Sequence, residues 1–409
     1  MRPIPHSVVS IPWDARRSVI FRWGVSSFSG WGVYGLNLAL AMAHDPRNIL
    51  FGAVPFSISS VVVDPMRTAL ISALARRSAA LWDALDTANG DAVSIEAPVL
   101  LALGQGMRSG GEDAFEPVTG HPTIGVVFLE HATLDPEAVA RGNRLATVIA
   151  GSSWNERILR AQGVSSVSTV LQGVDTSLFH PAPRSGLNAG RFVVFSGGKL
   201  EYRKGQDLVM AAFRAFRQRH AEALLVTAWH SPWSDLAATA SAVPGMSQPV
   251  LGTGGTPDIV AWAVANGIPA DAIFDLGPTP NIAMPHVMRE ADVALFPSRC
   301  EGGTNLVAME CMACGVPTIL SANTGHLDLL AHDGVAASLG RQTQPGRDGT
   351  DTTDWGESAV EEIVEALERV WRDREAAKAI GQRGAQLMQG MSWRTQIAHL
   401  LKEIEPVLR

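Results

Sequence analysis

Short runs of β-branched and aromatic residues alternate along this chain with longer stretches of helical period. That alternation restricts the fold to parallel strands joined by crossover helices. Strand-like runs stand at 18–25, 49–54, 123–129, 146–150 and 168–171, separated by helical segments such as 33–43, 66–85 and 154–162. A second series follows at 192–195, 223–229, 272–276, 292–296 and 318–320. Between the two series, residues 181–190 carry two Pro, two Gly and a lone Leu, which continue neither period and read as a linker. The 409 residues therefore divide into two α/β domains of similar size. One short hinge between such sheets puts a cleft at the carboxyl ends of their strands, the usual ligand position. Further on, Val360, Ile363, Val364, Leu367, Val370 and Trp371 line one helix face, and a terminal helix starts near Trp393. Residues 340–354, polar and glycine-rich, read as a surface loop.

Composition removes several function classes. Apolar residues make up 46% and charged residues 18%, which suits a packed protein and not a disordered one. The net charge, 33 − 40 = −7, gives no general attraction to nucleic acid, so any anionic ligand must meet local positive charge. Cys300, Cys311 and Cys314 lie too close together to frame disulfides across the chain, which fits reducing cytosol. The apolar stretches 61–63 and 100–103 fall far short of the roughly 20 residues of a membrane span, and residues 1–17 carry Pro, His and Asp where a signal peptide needs an apolar run. The expectation is a cytoplasmic protein, with peripheral membrane contact left open.

Two clusters carry chemistry. In the segment 192–205, a buried strand ends in Gly197-Gly198, and Lys199, Arg203 and Lys204 follow before the next helix. Glycine admits close backbone approach, and the cations supply the local charge that the composition lacks, as a diphosphate site requires. A solvated helix start is the bland alternative, but cations there oppose the helix dipole. In the segment 297–317, Glu301, Gly302, Gly303, Thr304 and Asn305 precede a helix that ends at Gly315. A helix N-terminus just past a strand is a ready anion site. Glu310 falls inside that otherwise apolar helix and needs a partner, either a structural cation or two vicinal hydroxyls such as those of a ribose. Cys311 and Cys314 have C-x-x-C spacing with no second pair, which favours core packing over zinc or redox chemistry.

Gly198-Lys199-Leu200 with Lys204-Gly205, the Glu301-Gly302-Gly303 turn and Glu310-Cys311-Met312-Ala313-Cys314-Gly315-Val316-Pro317 together resemble the nucleotide-binding domain of GT-B-fold glycosyltransferases of family 4. Gly151-Ser152-Ser153-Trp154-Asn155, the segment 173–181 and Ser392-Trp393-Arg394 add to the resemblance, which is dense over 146–330. It implies two Rossmann-like domains facing each other across a cleft: an acceptor-side domain over 1–185, a nucleotide-sugar domain over 186–385, and a C-terminal helix over 386–409 returning to the first domain. It implies that Lys199 and Lys204 hold the donor diphosphate, with Arg203 and Gly198 beside them. Glu310 would bind the ribose and Glu301 the transferred sugar, while backbone groups of Gly302, Gly303, Thr304, Asn305 and Leu306 meet sugar and phosphate. The family spaces its two glutamates by one residue fewer; here eight intervene, Gly302 to Met309, so the glycine turn must absorb the extra one.

In the first domain Gly30-Trp31-Gly32-Val33-Tyr34-Gly35 spells G-x-G-x-x-G after a strand. No acidic residue closes the next strand, which argues against a nicotinamide enzyme. By resemblance Gly30 and Gly32 instead face the donor phosphate and the acceptor. His131, after the strand at 123–129, stands where family members often keep a His near the donor sugar, and His326 follows a later strand. No carboxylate group has metal-type spacing, so no metal or cofactor is expected. The expected activity is hexosyl transfer with retention, from a UDP- or GDP-sugar to a glycan, lipid-linked, small-molecule or protein acceptor. A GT-B-like sugar-nucleotide epimerase and a non-catalytic nucleotide-sugar-binding homologue are the alternatives. Eleven Trp against two Tyr is an unusual ratio, and Trp23, Trp31, Trp229 and Trp233 are placed to stack on a sugar or base.

Overall fold

The structure, a computed structural model, describes residues 7–9, 16–88, 91–109, 118–231, 233–241, 243–252, 256–332, 337–346 and 349–408. Its contacts gather these into two compact units. The first holds the described residues up to Gly173, with Pro280–Ile282 and those from Ser392 onward; the second holds those of Val174–Thr279 and Ala283–Met391.

The first unit is built on six parallel strands: β1 (Arg17–Arg22), β2 (Asn48–Gly52), β3 (Val99–Leu103), β4 (Thr123–Val127), β5 (Thr147–Ala150) and β6 (Val167–Thr169). Their order is β2-β1-β3-β4-β5-β6. Val19, Ile20 and Phe21 in β1, Val99 to Leu101 in β3 and Val148 to Ala150 in β5 are all buried. Such unbroken apolar runs are what a parallel sheet covered on both faces requires. Helices α1 (Gly30–Met42), α2 (Pro65–Thr87) and α3 (Ser153–Ala161) connect them. Helix α2 starts where Asp64 accepts from the N–H groups of Met66 and Arg67, and Pro65, having no N–H, needs no acceptor.

The second unit repeats the plan with β7 (Phe192–Lys199), β8 (Ala223–His230), β9 (Ile273–Asp275), β10 (Val293–Phe296), β11 (Thr318–Ser321) and β12 (Ala337–Leu339). The order is β9-β8-β7-β10-β11-β12, all parallel. Its helices include α4 (Gln206–Arg217), α5 (Leu306–Ala313), α6 (Val360–Arg372) and α7 (Arg374–Gly390). The last helix, α8 (Trp393–Ile404), belongs to the first unit: Trp393 packs its ring 5.1 Å from Tyr34, and Arg17 pairs with Glu405 at 3.2 Å.

Four features differ from the sequence reading. Strand β3 sits in the middle of the first sheet although its sequence, Val-Leu-Leu-Ala-Leu, is no better a strand than a helix by pattern. The units divide at Gly173/Val174, not within 181–190. The reason is a set of bonds that fasten this segment to the second unit: Arg289 donates to the carbonyls of Leu178 (2.8 Å) and His180 (2.9 Å), and Arg184 pairs with Asp292 at 2.9 Å. The second division falls at Met391/Ser392 and not at 385/386. Helix α7 stays with the second unit because Gly381 packs against the Gly315 carbonyl, where any Cβ would lie 2.2 Å from its oxygen. Within 340–354 and just beyond, the chain is not purely loop: Gln342–Thr343 pairs antiparallel with Glu357–Ser358.

Candidate functional site

In the second unit the strand order reverses between β7 and β10, and a crevice outside two such carboxyl ends is where open parallel sheets take ligands. Strand β7 delivers Gly198 and Lys199 to this point, and a single 3₁₀ turn, Tyr202–Lys204, follows. Gly205 then takes φ 70°, and any Cβ on it would lie 2.4 Å from the Pro297 carbonyl oxygen, so only glycine turns the chain into α4 here. Strand β10 delivers residues 297–305. Asn305 adopts φ 63° at the N-cap of α5, its Oδ1 accepting from the Ala308 N–H at 3.3 Å.

These two exits meet through charge. Lys204 donates to both oxygens of Glu301 (2.8 and 2.7 Å), and Arg203 pairs with Glu301 at 3.1 Å. Ser298 and Asn305 also donate to Glu301, at 2.7 and 2.9 Å. Glu201, also buried, pairs with Lys199 at 2.9 Å and with Arg203. Burial would push the Glu301 carboxyl up, but Lys204 and Arg203 outweigh it and hold the group at about 2. Three cations against two carboxylates leave a net charge of 3 − 2 = +1. The basic cluster expected from the sequence is therefore assembled but largely neutralised within the protein.

The loop after β11 closes over this network. His326, fully buried, meets Asn305 Nδ2 through Nε2 at 3.2 Å and the Ser321 carbonyl through Nδ1 at 3.2 Å. Burial above all, with the Lys204 and Arg203 charges, pulls its pKa down to about 4 against the opposing pull of Glu301, so the ring is neutral. Thr324 accepts the Glu301 N–H through Oγ1 at 2.8 Å, and a Cβ on Gly325 would fall 1.9 Å from the Gly303 carbonyl oxygen. Gly302, Gly303, Thr304 and Asn305 are all buried, and Leu306 opens α5. The eight-residue spacing is thus accommodated by a fully packed turn that ends in a left-handed Asn. Glu310 is buried within α5, only 4% exposed, and its charge adds to the burial that pushes the Cys314 thiol up to about 12.

Sequence reasoning missed Arg299. It is completely buried and donates to both oxygens of Asp207 (2.8 and 2.6 Å), to Glu357 (2.6 Å) and to the Tyr202 carbonyl (2.8 Å). Its guanidinium lies 4.0 Å from the centre of the Tyr202 ring. One arginine thereby ties the cation-bearing turn, the start of α4 and the 342–358 excursion to the β10 exit. Nothing in its flanking residues signals this, because its partners stand 92 and 58 positions away.

The first unit presents a different kind of surface. Gly30 and Gly32 lie inside α1 and not in a loop before it, capped by Ser29, which accepts the Gly32 N–H at 3.2 Å. A Cβ on Gly32 would lie 2.5 Å from Ser26 Cβ, and one on Gly35 2.5 Å from the Gly24 carbonyl oxygen. These two glycines let α1 press against the exit of β1; at Gly30 the space is open. His131, half-buried, follows β4, where Gln105 accepts its N–H (3.2 Å) and donates to its carbonyl (3.0 Å). Trp31 stacks 6.1 Å from Tyr34 and meets Phe128 edge-on at 5.0 Å, with Trp23 5.5 Å away.

Parallel sheets with helical crossovers in both units make the GT-B fold. Sucrose-phosphate synthase from Thermosynechococcus elongatus superposes with a TM-score of 0.62 at 17% identity, covering 96% of this chain and 99% of that one. The Anabaena protein HepE, solved in complex with UDP, gives 0.58 at 15% identity, covering 95% and 100%. Residues 281–400 match a family described as "Family 4 Glycosyltransferase in conflict systems". D-inositol 3-phosphate glycosyltransferase of Thermobifida fusca is 29% identical over 256 residues, 58% of this chain and 49% of that protein. GDP-mannose-dependent alpha-(1-6)-phosphatidylinositol monomannoside mannosyltransferase of Mycolicibacterium smegmatis is 28% identical over 243 residues, 56% and 53% of the two chains. The chain is thus similar to glycosyltransferases of family 4 over residues 281–400 and to curated glycosyltransferases over rather more than half of its length. It spans about half the length of the curated relatives it matches. Among the described residues no helix is long and apolar enough to cross a membrane.

Proposed function

We propose that the chain transfers a hexosyl group from a UDP- or GDP-sugar to an acceptor, with retention at the anomeric carbon and without a metal ion. The observation that carries this reading is the convergence of Lys199, Arg203, Lys204 and the N-terminus of α5 at the switch point of the second unit. Departure of the nucleoside diphosphate places charge on its phosphates, and preorganised cations and backbone N–H groups stabilise that charge without reorganising. Glu201 and Glu301 hold the cations in place before the donor arrives. The oxygens of Glu301 already accept from four side chains, so hydroxyls of the donor sugar compete for a carboxylate whose first task is orientation. Glu310 is assigned to the ribose, and the backbone of Gly302 to Leu306 to sugar and phosphate. His131, Gly30 and Gly32 are assigned to the first unit's share of the reaction, where the acceptor binds. Retention follows if the departing phosphate itself takes the acceptor's proton on the face it leaves.

A thermal-shift screen of UDP, GDP, ADP and their sugars tests the donor; selective stabilisation by one base is the expected result. Lys204→Ala and Glu310→Ala should then each weaken that nucleotide by about tenfold or more, since charge-assisted hydrogen bonds contribute roughly 1.5–3 kcal/mol. Unchanged affinity and transfer in both variants would sink the assignment. NMR of the anomeric proton in the product reads retention, and activity in EDTA reads metal independence. Conversion of the donor with no acceptor present would identify an epimerase instead.

A further inference from the structure

The tryptophans singled out by the sequence separate by exposure. Trp229 is buried in β8, and its Nε1 donates to Ser196 Oγ at 3.2 Å, which leaves it no face for a ligand. Trp233 is 55% exposed, alone among the described tryptophans in leaving most of its surface to solvent. Its backbone is fixed: Ser231 Oγ accepts the Trp233 N–H at 3.2 Å and donates to the Trp233 carbonyl at 3.1 Å, and the same carbonyl caps the short helix Ser234–Thr239. Its ring lies 5.6 Å from Lys199 Nζ, the cation at the exit of β7. Lys199 itself stands in register with His230, the last residue of β8, so the indole sits one strand over from the switch point.

We propose that Trp233 is the platform on which the nucleobase of the donor stacks, a reading that rests on the nucleotide-sugar function above. The direction of the ligand across the sheet supports it. The cations occupy the exit of β7, and Glu301, Asn305 and the start of α5 occupy the exit of β10 on one side of the reversal. With diphosphate and sugar on those groups, the end of the nucleotide left for the exit of β8 is the base. An indole face binds a planar base through stacking, tolerant of base identity because every base has a π-face. The nearby ammonium polarises the same ring and binds phosphate, so one cation couples both parts of the nucleotide.

The test is calorimetric titration of the full chain and of Trp233→Ala and Trp233→Phe with the stabilising nucleoside diphosphate, its sugar conjugate and inorganic pyrophosphate. Expected is a loss of roughly 5- to 100-fold in nucleoside-diphosphate affinity in Trp233→Ala, the range that base–aromatic stacking supplies, with most of it retained in Trp233→Phe. Pyrophosphate affinity and the melting temperature should stay the same. Equal weakening of pyrophosphate and nucleotide overturns the proposal, as does loss confined to the sugar conjugate, which places the sugar on the ring. Undiminished nucleotide binding in Trp233→Ala overturns this inference alone, whereas a wild-type chain that binds no nucleoside diphosphate overturns the functional reading beneath it.

Discussion

The two units share one architecture and spend their polar residues differently. Each has six parallel strands with a reversal of order, and each places a glycine-bearing element after a strand near that reversal. In the first unit Gly32 and Gly35 fit a helix closely against a strand exit, and the neighbouring side chains are the aromatic rings of Trp23, Trp31, Tyr34 and Phe128. In the second, Gly205 takes a left-handed turn so that two cations can reach a buried carboxylate contributed by the other side of the crevice. The same residue type therefore serves packing in one unit and charge placement in the other. A glycine pattern acquires a meaning only from the atoms its missing Cβ makes room for.

The largest effect that would separate the units is expected from Arg299→Met. It leaves Asp207 without its bidentate partner in a fully buried site, and breaking such a pair costs ~3–5 kcal/mol. Urea unfolding of the full chain should show that loss; a loss too small to resolve would mean that the network is not what binds the cation turn to the β10 exit. Next come the paired substitutions Gly205→Ala and Gly35→Ala. Each forces a Cβ to within 2.4 or 2.5 Å of a carbonyl oxygen, and overpacking of that kind costs ~1–3 kcal/mol. Only Gly205→Ala should also weaken nucleotide binding, because it moves Arg203 and Lys204. Equal loss of affinity in both variants would break the contrast.

The last effect expected is on pH dependence. His326 is neutral in the fold with its pKa lowered to about 4, while an unfolded histidine takes its proton near 6.5. The unfolded chain thus binds more protons in that window, and stability should fall as pH drops from about 6.5 to about 4. Glu301, held at about 2, extends the loss at lower pH: its contribution is complete above its ordinary 4.5 and disappears as pH falls through 2. Melting temperatures of wild type and His326→Gln across this range should converge towards acid, the variant losing less between 6.5 and 4. Parallel curves would show that the histidine is not the titrating group.

Legibility followed the range of the interactions. Ten of the twelve strands of the two main sheets were legible as apolar runs, but β3 and β12 escaped notice in the sequence. Val99–Leu103 lacks turn residues and alternation to distinguish it from a helical run, and Ala337–Leu339 is three residues at a sheet edge. Lys199, Arg203, Lys204, Glu301 and Asn305 were legible as a set because each lies within a few residues of a strand exit. Their pairing with Glu301 was not: Lys204 and Glu301 are 97 positions apart, and only Glu201, which pairs with Lys199 and Arg203, is a local partner.

By itself the sequence determined the α/β class, the two sheets and the positions where charged residues leave the strands, since these depend on hydrophobic period and on turn residues only a few positions apart. Tertiary structure alone decided where the units divide, because Arg289 and Arg184 reach across a hundred residues to hold the segment after Leu178. It decided also that Arg299 is a hub, that His326 is neutral and that Trp233, not Trp229, presents its ring to solvent. Burial and long-range pairing set each of those outcomes, and neither is a property of a residue's neighbours in the chain.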